Sequence, residues 1–287
     1  MHIILGGTGH VGSALAETLL ARGEPVTIVT RNAAHAESLR RKGAEVAEAD
    51  VLDTPALRRV LRSGRRAFLL NPPADPAGDA EVQERRTIAA ILAALDGSGL
   101  EKVVAESTSG AQPGKDIGDL GTLYALEQGL AAQRIPATIQ RAAYYMSNWD
   151  AQLDTARQDG RITSFFPADF ALPMVAPRDL GEAAADFLLE SVDRTGVRYV
   201  EGPQRCTPQD VAEAMAAVVG RSIQVDVVPR SDWQRTFERL GMSESSARSY
   251  AQMTAITADV TEWPEASRRG RTTLRAYFED VVRRSSL

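Results

Sequence analysis

Near the start of the chain, Gly6-Gly-Thr-Gly-His-Val-Gly12 places glycines at positions 6, 9 and 12. Glycines at that spacing serve one kind of chemistry: one turns the chain sharply, one lets backbone approach a pyrophosphate, and one lets a following helix pack against a preceding strand. A helix that starts at such a turn also offers unpaired N–H groups and the positive end of its dipole to an anion. An ordinary tight turn would use glycine too. The context a nucleotide site requires is nevertheless present on both sides, with apolar residues 2–5 before the turn and an amphipathic helical pattern over 13–22 after it.

Further candidates fall where the next strands end. Residues 25–30 read as a second strand, and Arg31 follows about 20 residues past the glycines, where an acid selects NAD and an arginine accommodates the 2′-phosphate of NADP. With Arg31 and no acid there, the pattern favours NADP(H) over NAD(H); a solvated arginine after a strand is the plain alternative. Asp50, closing a strand over 45–49, is either a partner for the adenine amino group or a loop acid. Asn71-Pro-Pro73 follows an apolar run at 67–70, at the carboxyl end where open parallel sheets bind ligands. Glu106-Ser-Thr-Ser-Gly110 leaves a strand over 102–105, and Ser107, Thr108 and Ser109 either contact the nicotinamide half of a dinucleotide or satisfy loop backbone.

The elements that must hold these positions appear as alternating strand and helix patterns. Gly23 and Gly43 close helices over 13–22 and 33–42. Asp53-Thr-Pro55 starts a third helix, with Thr54 as N-cap and Pro55 in its first turn. Apolar spacing predicts helices over 80–95 and 120–133, and 137–140 is a further strand. The fold class expected is α/β, a doubly wound parallel sheet of the Rossmann kind over residues 1–150. Residues 151–287 form a smaller α/β lobe on the substrate side, not an independent domain. In it, 165–167 and 172–176 are strand-like, 179–189 is helical, 199–203 is a strand into a turn, and Thr207-Pro208 starts a helix. Residues 223–228 are a strand, and 233–240 and 272–284 are helices. The last helix carries Leu274, Tyr277, Phe278 and Val281 on one face and is expected to clasp its own lobe.

Composition narrows the function classes. A chain of 287 residues with 44% hydrophobic and 25% charged residues is ordinary for a globular protein. A net charge of -5 argues against nucleic-acid binding by phosphate neutralisation. Cys206 is the single cysteine, and the three histidines lack metal-ligand spacing, so neither a disulfide nor a metal site is expected. There is no apolar leader and no run of about 18 apolar residues, which makes a cytoplasmic protein with no membrane segment the expectation.

These residues together resemble the NmrA-like, atypical short-chain dehydrogenase/reductase family, which includes NADPH-dependent quinone and triphenylmethane dye reductases, phenylpropanoid reductases and redox-sensing regulators. The matching elements are the glycine turn, Thr30-Arg31-Asn32, the helix carrying Glu127, Arg141 with Tyr145-Met-Ser-Asn148, Pro177-Arg-Asp-Leu-Gly181, and Gly202-Pro203 followed by Thr207-Pro208. The resemblance implies that Gly6, Thr8, Gly9, His10, Val11 and Gly12 surround the pyrophosphate, that Arg31 meets the 2′-phosphate, and that Asp50 and Val51 lie near adenine. Asn71 and Pro72 would border the nicotinamide ribose with Ser107 and Thr108. Tyr144, Tyr145 and Asn148 would line the substrate side. Asp179 would be an architectural helix N-cap.

One departure from the family matters for chemistry. Conventional members pair a tyrosine with a lysine four residues later, whose ammonium lowers the phenol pKa and grips the ribose. Here Tyr124 is followed at that offset by Gln128, and the only lysines are Lys42, Lys102 and Lys115. Arg141 cannot deprotonate at working pH and is a poor general acid, which leaves Tyr124 and Tyr145 as catalytic candidates. A quinone or other extended electron-poor acceptor tolerates that loss, because the incoming charge is delocalised and the site must mainly supply proximity and a flat apolar wall. Phe165, with Phe166, Tyr144, Tyr145, Met146 and Trp149, would either build that wall or simply pack the lobe. The expected function is thus an NADPH-dependent reductase of a quinone-like or conjugated aromatic small molecule by direct hydride transfer, as monomer or homodimer. The alternatives are a regulator that senses NAD(P) through a protein partner without turnover, and a tailoring enzyme without net redox change.

Overall fold

A computed structural model describes residues 1–285. In chain order the elements are β1 (His2–Leu5), α1 (His10–Ala21), β2 (Val26–Thr30), α2 (Glu37–Arg41), β3 (Glu45–Glu48), α3 (Thr54–Leu61), β4 (Arg66–Leu69), α4 (Ala80–Leu95), β5 (Lys102–Thr108), α5 (Asp119–Ala131), β6 (Ala137–Ala142) and β7 (Tyr144–Tyr145). They continue as α6 (Leu153–Asp159), β8 (Arg161–Ser164), β9 (Leu172–Val175), α7 (Pro177–Leu189), β10 (Gly196–Glu201), β11 (Arg205–Cys206), α8 (Pro208–Val219) and β12 (Gln224–Val227). The last are α9 (Trp233–Arg239), α10 (Glu244–Ala258), β13 (Ser267–Arg269) and α11 (Leu274–Ser285).

Apolar runs such as Ile3-Ile-Leu5 and Ala67-Phe-Leu69 suit strands covered on both faces, and both runs are fully buried. They lie in an all-parallel sheet of order β3-β2-β1-β4-β5-β6-β10-β13. Helices α1 and α7 cover one face around Leu15, Leu19, Ile28 and Leu180; α3, α4 and α5 cover the other around Leu57, Ile91 and Leu126. This is the doubly wound α/β fold expected from the sequence. Strand order reverses between β1 and β4, so their carboxyl ends open the crevice in which such sheets take ligands. Strands β10 and β13 come from beyond residue 150 and complete this sheet.

The rest of the C-terminal half builds a small lobe. Strands β11, β9 and β7 form one sheet and β8 and β12 a parallel pair. Helices α6, α8 and α11 close over them around Met146, Trp149, Phe166, Met215 and Phe278. Leu274, Tyr277 and Phe278 are buried, and Tyr277 Oη donates to Asp150, so α11 clasps its own lobe.

Several local expectations are corrected. The N-cap of α3 is Asp53, not Thr54: its carboxylate accepts from the Ala56 N–H at 2.9 Å. Asp179 is not an N-cap either. Ala176 holds that position in α7, and Asp179, in the first turn, accepts from the Thr272 N–H at 2.9 Å and the Thr272 hydroxyl at 2.8 Å, fixing the approach to α11. The strand near residue 165 is β8, which ends at Ser164, one residue before the aromatic pair. Helix α10 and strand β13 have no counterpart in the sequence reading.

Candidate active site

At the end of β1 the chain turns through Gly6, whose φ of +66° a side chain would strain. Gly12, in the first turn of α1, lies so close beneath it that an added Cβ would stand 2.3 Å from the Gly6 carbonyl oxygen. Gly9 is the N-cap of α1 and supplies no side-chain cap. Among the described residues, no backbone acceptor takes the N–H groups of His10, Val11 or Gly12. Thr8, Gly9 and His10 are exposed beside them. The result is a helix N-terminus with free donors and open space in front of it, which suits a pyrophosphate.

Two further features fit a dinucleotide in this crevice. Arg31, one residue past β2, is exposed and has no ion-pair partner among the described residues. Asn71, just beyond β4 and across the switch point, has a buried Oδ1 without a hydrogen-bond partner, an unmet acceptor that a ligand hydroxyl could satisfy. Pro72 follows it, half-buried. Asp50 is exposed and accepts from the Leu52 N–H at 2.9 Å through one oxygen, with Val51 half-buried next to it.

Successive residues of β5 and β6 point to opposite faces of the sheet, and here each face carries a polar cluster. In register, Ser107 stands opposite Arg141, and Glu106 opposite Gln140. On the α5 face, Arg141 grips Glu127 through two N–H groups at 2.9 and 2.6 Å, and the Ser107 hydroxyl donates to Glu127 at 2.5 Å. The Ser107 hydroxyl hydrogen is therefore committed to Glu127, whereas the Thr108 hydroxyl makes no hydrogen bond among the described residues. On the α7 face, the buried Glu106 accepts from the Tyr145 hydroxyl and from Gln140 Nε2, each at 2.7 Å. Burial pushes the Glu106 carboxyl up to about 8, against those two hydrogen bonds.

The aromatic candidates divide. Burial pushes the Tyr144 phenol up to about 12, with Asn148 as its hydrogen-bond partner. The Tyr144 ring meets Phe166 and Trp149 edge-on at 5.8 and 6.3 Å. The Tyr145 phenol lies well above its ordinary value, through burial and then the neighbouring Glu106. Phe165, by contrast, stacks on Phe237 at 4.3 Å and meets Trp233 edge-on, in a cluster with α9 and α10. Tyr124, half-buried on α5, has no hydrogen-bonded acid or base among the described residues. A carboxyl pair stands near this region: Glu84 bonds Asp119 and accepts from Thr122, and burial holds both acids above the usual carboxylate range.

Among the described residues no lysine hydrogen-bonds a tyrosine. Lys42 pairs with Glu17 at the surface, Lys102 donates to the Ser191 carbonyl at the far end of β5, and Lys115 is exposed in the loop before α5. The residue that sequence reasoning missed is Glu106. Its signal was a carboxyl directly after the apolar run Val103-Val-Ala105 of a parallel strand, matched by Gln140 in the neighbouring one.

A family model described as the NmrA-like family matches residues 2–278. The NAD(P)H azoreductase of Xenophilus azovorans is 23% identical over 257 residues, 89% of this chain and 87% of that protein. An uncharacterized oxidoreductase of Bacillus subtilis (strain 168), YesF, is 27% identical over 266 residues, 88% of this chain and 82% of that protein. Among solved structures, the Citrobacter sp. triphenylmethane reductase complexed with NADP(H) superposes with a TM-score of 0.79 at 18% identity, covering 98% of this chain and 99% of the other. An NADPH-dependent quinone oxidoreductase from Escherichia coli superposes at 0.76 with 20% identity, covering 98% and 100%. These two structures share the fold described above.

Proposed function

As this chain belongs to the NmrA-like family, we propose that it is an NADPH-dependent oxidoreductase that reduces a quinone-like or conjugated aromatic small molecule. The observation that carries this reading is the crevice at the β1/β4 switch point, with its uncapped helix N-terminus, Arg31 without an ion-pair partner among the described residues and the orphaned Asn71 Oδ1 around it. The names of the azoreductase, quinone reductase and dye reductase relatives support the same substrate class.

In this reading the backbone N–H groups of His10, Val11 and Gly12 hold the pyrophosphate, with Gly6, Thr8 and Gly9 leaving it room. Arg31 holds the 2′-phosphate and is the basis of NADPH preference. Asp50 and Val51 border adenine, and Asn71, Pro72 and Thr108 border the nicotinamide ribose. When bound, the reduced nicotinamide supplies a hydride to an electron-poor acceptor. Tyr144, Tyr145 and Asn148 orient that acceptor and, with Trp149 and Phe166 behind Tyr144, keep water from it. Phe165 stays with the lobe cluster.

The test is NADPH consumption with benzoquinones, naphthoquinones, azo dyes and cationic triphenylmethane dyes, run beside equilibrium binding of NADPH and NADH. Turnover with at least one acceptor is expected. Arg31→Ala should weaken NADPH about tenfold or more, from the ~1.5–3 kcal/mol of a hydrogen bond to a charged group, and leave NADH unchanged. Tight NADPH binding without oxidation of any acceptor would contradict the reductase and favour a sensor acting through a protein partner.

A further inference from the structure

The buried Glu106 has a hydrogen-bond environment that fixes where its proton must sit. Facing its carboxyl are the Tyr145 hydroxyl from β7 and the Gln140 amide from β6. Gln140 Nε2 also donates to the Leu180 carbonyl of α7 at 3.2 Å. A carbonyl can only accept, so the amide nitrogen must lie on that side, and Glu106 Oε2 receives an N–H rather than offering a proton. Both donors to Glu106 are neutral, and no cation pairs with it among the described residues, an arrangement that disfavours a buried carboxylate. A proton held by this group therefore belongs on Oε1, between the carboxyl and the phenol oxygen. The phenol's own hydrogen is then free to turn toward a ligand on the other side of Tyr145.

We propose that Tyr145 and Glu106 are a proton-delivering dyad that takes the place of the missing tyrosine and lysine pair, with Tyr145 as the catalytic residue and Glu106 acting through it as a positioning and recharging residue. This rests on the reductase reading above. After a quinone has accepted a hydride it is a hydroquinone monoanion, and an azo acceptor is a nitrogen anion. The Tyr145 O–H bond breaks as a new O–H or N–H bond forms on that anion. The Glu106 Oε1–H bond breaks as its proton moves to the Tyr145 oxygen. Glu106 is left as a carboxylate held by Gln140 and Tyr145, and solvent returns one proton per turnover. No phenolate persists, which matters for a phenol whose pKa is held so high. A cationic triarylmethane is different: hydride addition at carbon makes it neutral, and it needs no proton.

That chemical difference supplies the control. Glu106→Gln and Tyr145→Phe should slow quinone and azo reduction by about 100-fold or more, the usual contribution of a general acid, and slow cationic dye reduction at least about tenfold less, because only the first two acceptors need the proton. Wild-type quinone turnover should fall as pH rises through about 8, where Glu106 loses its proton, and this limb should vanish in Glu106→Gln. Asp119 acts on Tyr145 through space and titrates in its own pair with Glu84, so the limb in Asp119→Asn should remain.

Infrared difference spectra of the ligand-free protein give a readout independent of turnover. Subtracting Glu106→Gln from wild type at neutral pH should reveal one protonated carboxyl band, and Tyr145→Phe should shift that band without removing it. An ionised Glu106 at neutral pH, equal slowing of quinones and cationic dyes, or full quinone activity in both variants would overturn the dyad. Tyr145→Phe, which leaves the carboxyl in place, carries the test should Glu106→Gln fail to fold. A wild type that turns over no acceptor marks failure of the reductase reading, and the infrared band then still decides whether Glu106 holds its proton.

Discussion

Gly12→Ala is expected to lose NADPH binding and stability together, whereas Gly9→Ala is expected to lose binding alone. The added methyl at residue 12 would stand 2.3 Å from the Gly6 carbonyl oxygen and 2.8 Å from Gly7 Cα, both backbone atoms that yield only if α1 moves away from β1. Such overpacking costs about 1–3 kcal/mol, and it displaces the same N–H groups that would receive the pyrophosphate. NADPH affinity should fall by about 100-fold, equivalent to roughly 2.7 kcal/mol. At Gly9 a methyl would meet nothing nearer than the Gly6 carbonyl oxygen at 3.4 Å, an ordinary contact, and the backbone there is extended. Its methyl would instead fill the space in front of the helix. Thermal melts and NADPH titrations of both variants separate the two roles. Unchanged NADPH binding in Gly9→Ala would move the pyrophosphate away from this turn.

Removing one partner of the Glu127 and Arg141 pair should give the largest loss of stability. Their side chains are 6% and 14% exposed, and Glu127 also receives the Ser107 hydroxyl. Glu127→Leu leaves a guanidinium largely buried with, among the described residues, only the Tyr199 hydroxyl at 3.2 Å as a further hydrogen-bond partner. Breaking such a pair costs about 3–5 kcal/mol, whereas replacing both partners by apolar residues is often neutral. Glu127→Leu should therefore lower the urea midpoint strongly, and Glu127→Leu with Arg141→Met should recover most of it. Equal loss in the single and double variants would mean that the pair contributes more than mutual neutralisation. The pair joins α5 to β6, one residue before the chain turns toward Tyr144 and Tyr145, so the single variant should also slow turnover.

Much of the sheet was legible because its signal is the simplest one, apolar strands that end in polar or glycine-rich turns and alternate with capped helices. The turn at Gly6 to Gly12, Arg31 and Asn71 stand out on that basis; in the structure Thr8, Gly9, His10 and Arg31 are exposed, and Asn71 is half-buried with its Oδ1 unpaired. What escaped the sequence lacked that signal. Helix α10 packs through Ala247, Ala251 and Ala255 and is fixed by serines: Ser246 donates to the Gly78 carbonyl, and Ser249 accepts from the Gly118 N–H. Small and hydroxylated residues carry little hydrophobic periodicity. Strand β13, Ser267-Arg-Arg269, has no apolar residue and is placed by its pairing to β10 and by Arg268 and Arg269 meeting Asp186 and Glu201.

The site shows the same division. Motif spacing along one strand and turn points to the crevice, but the partner of Tyr145 comes from β5, 39 residues earlier in the chain. Spacing rules such as tyrosine followed by lysine one helical turn later cannot find a partner supplied by a distant strand of another sheet. Phe165 lies apart from Tyr144 for a related reason. The Phe165-Phe166 pair follows the end of β8, and its two rings join different clusters, Phe165 with Phe237 and Phe166 with Tyr144.

The most direct measurement is a single-turnover comparison of NADPH with NADPH carrying deuterium at the transferable position, using whichever quinone or dye the protein reduces fastest. Direct hydride transfer predicts slower oxidation of the deuterated cofactor. With a cationic triarylmethane as acceptor, it also predicts deuterium on the new carbon–hydrogen bond of the colourless product. Equal rates with no deuterium in that product, or no oxidation by any acceptor despite tight NADPH binding, would contradict the account.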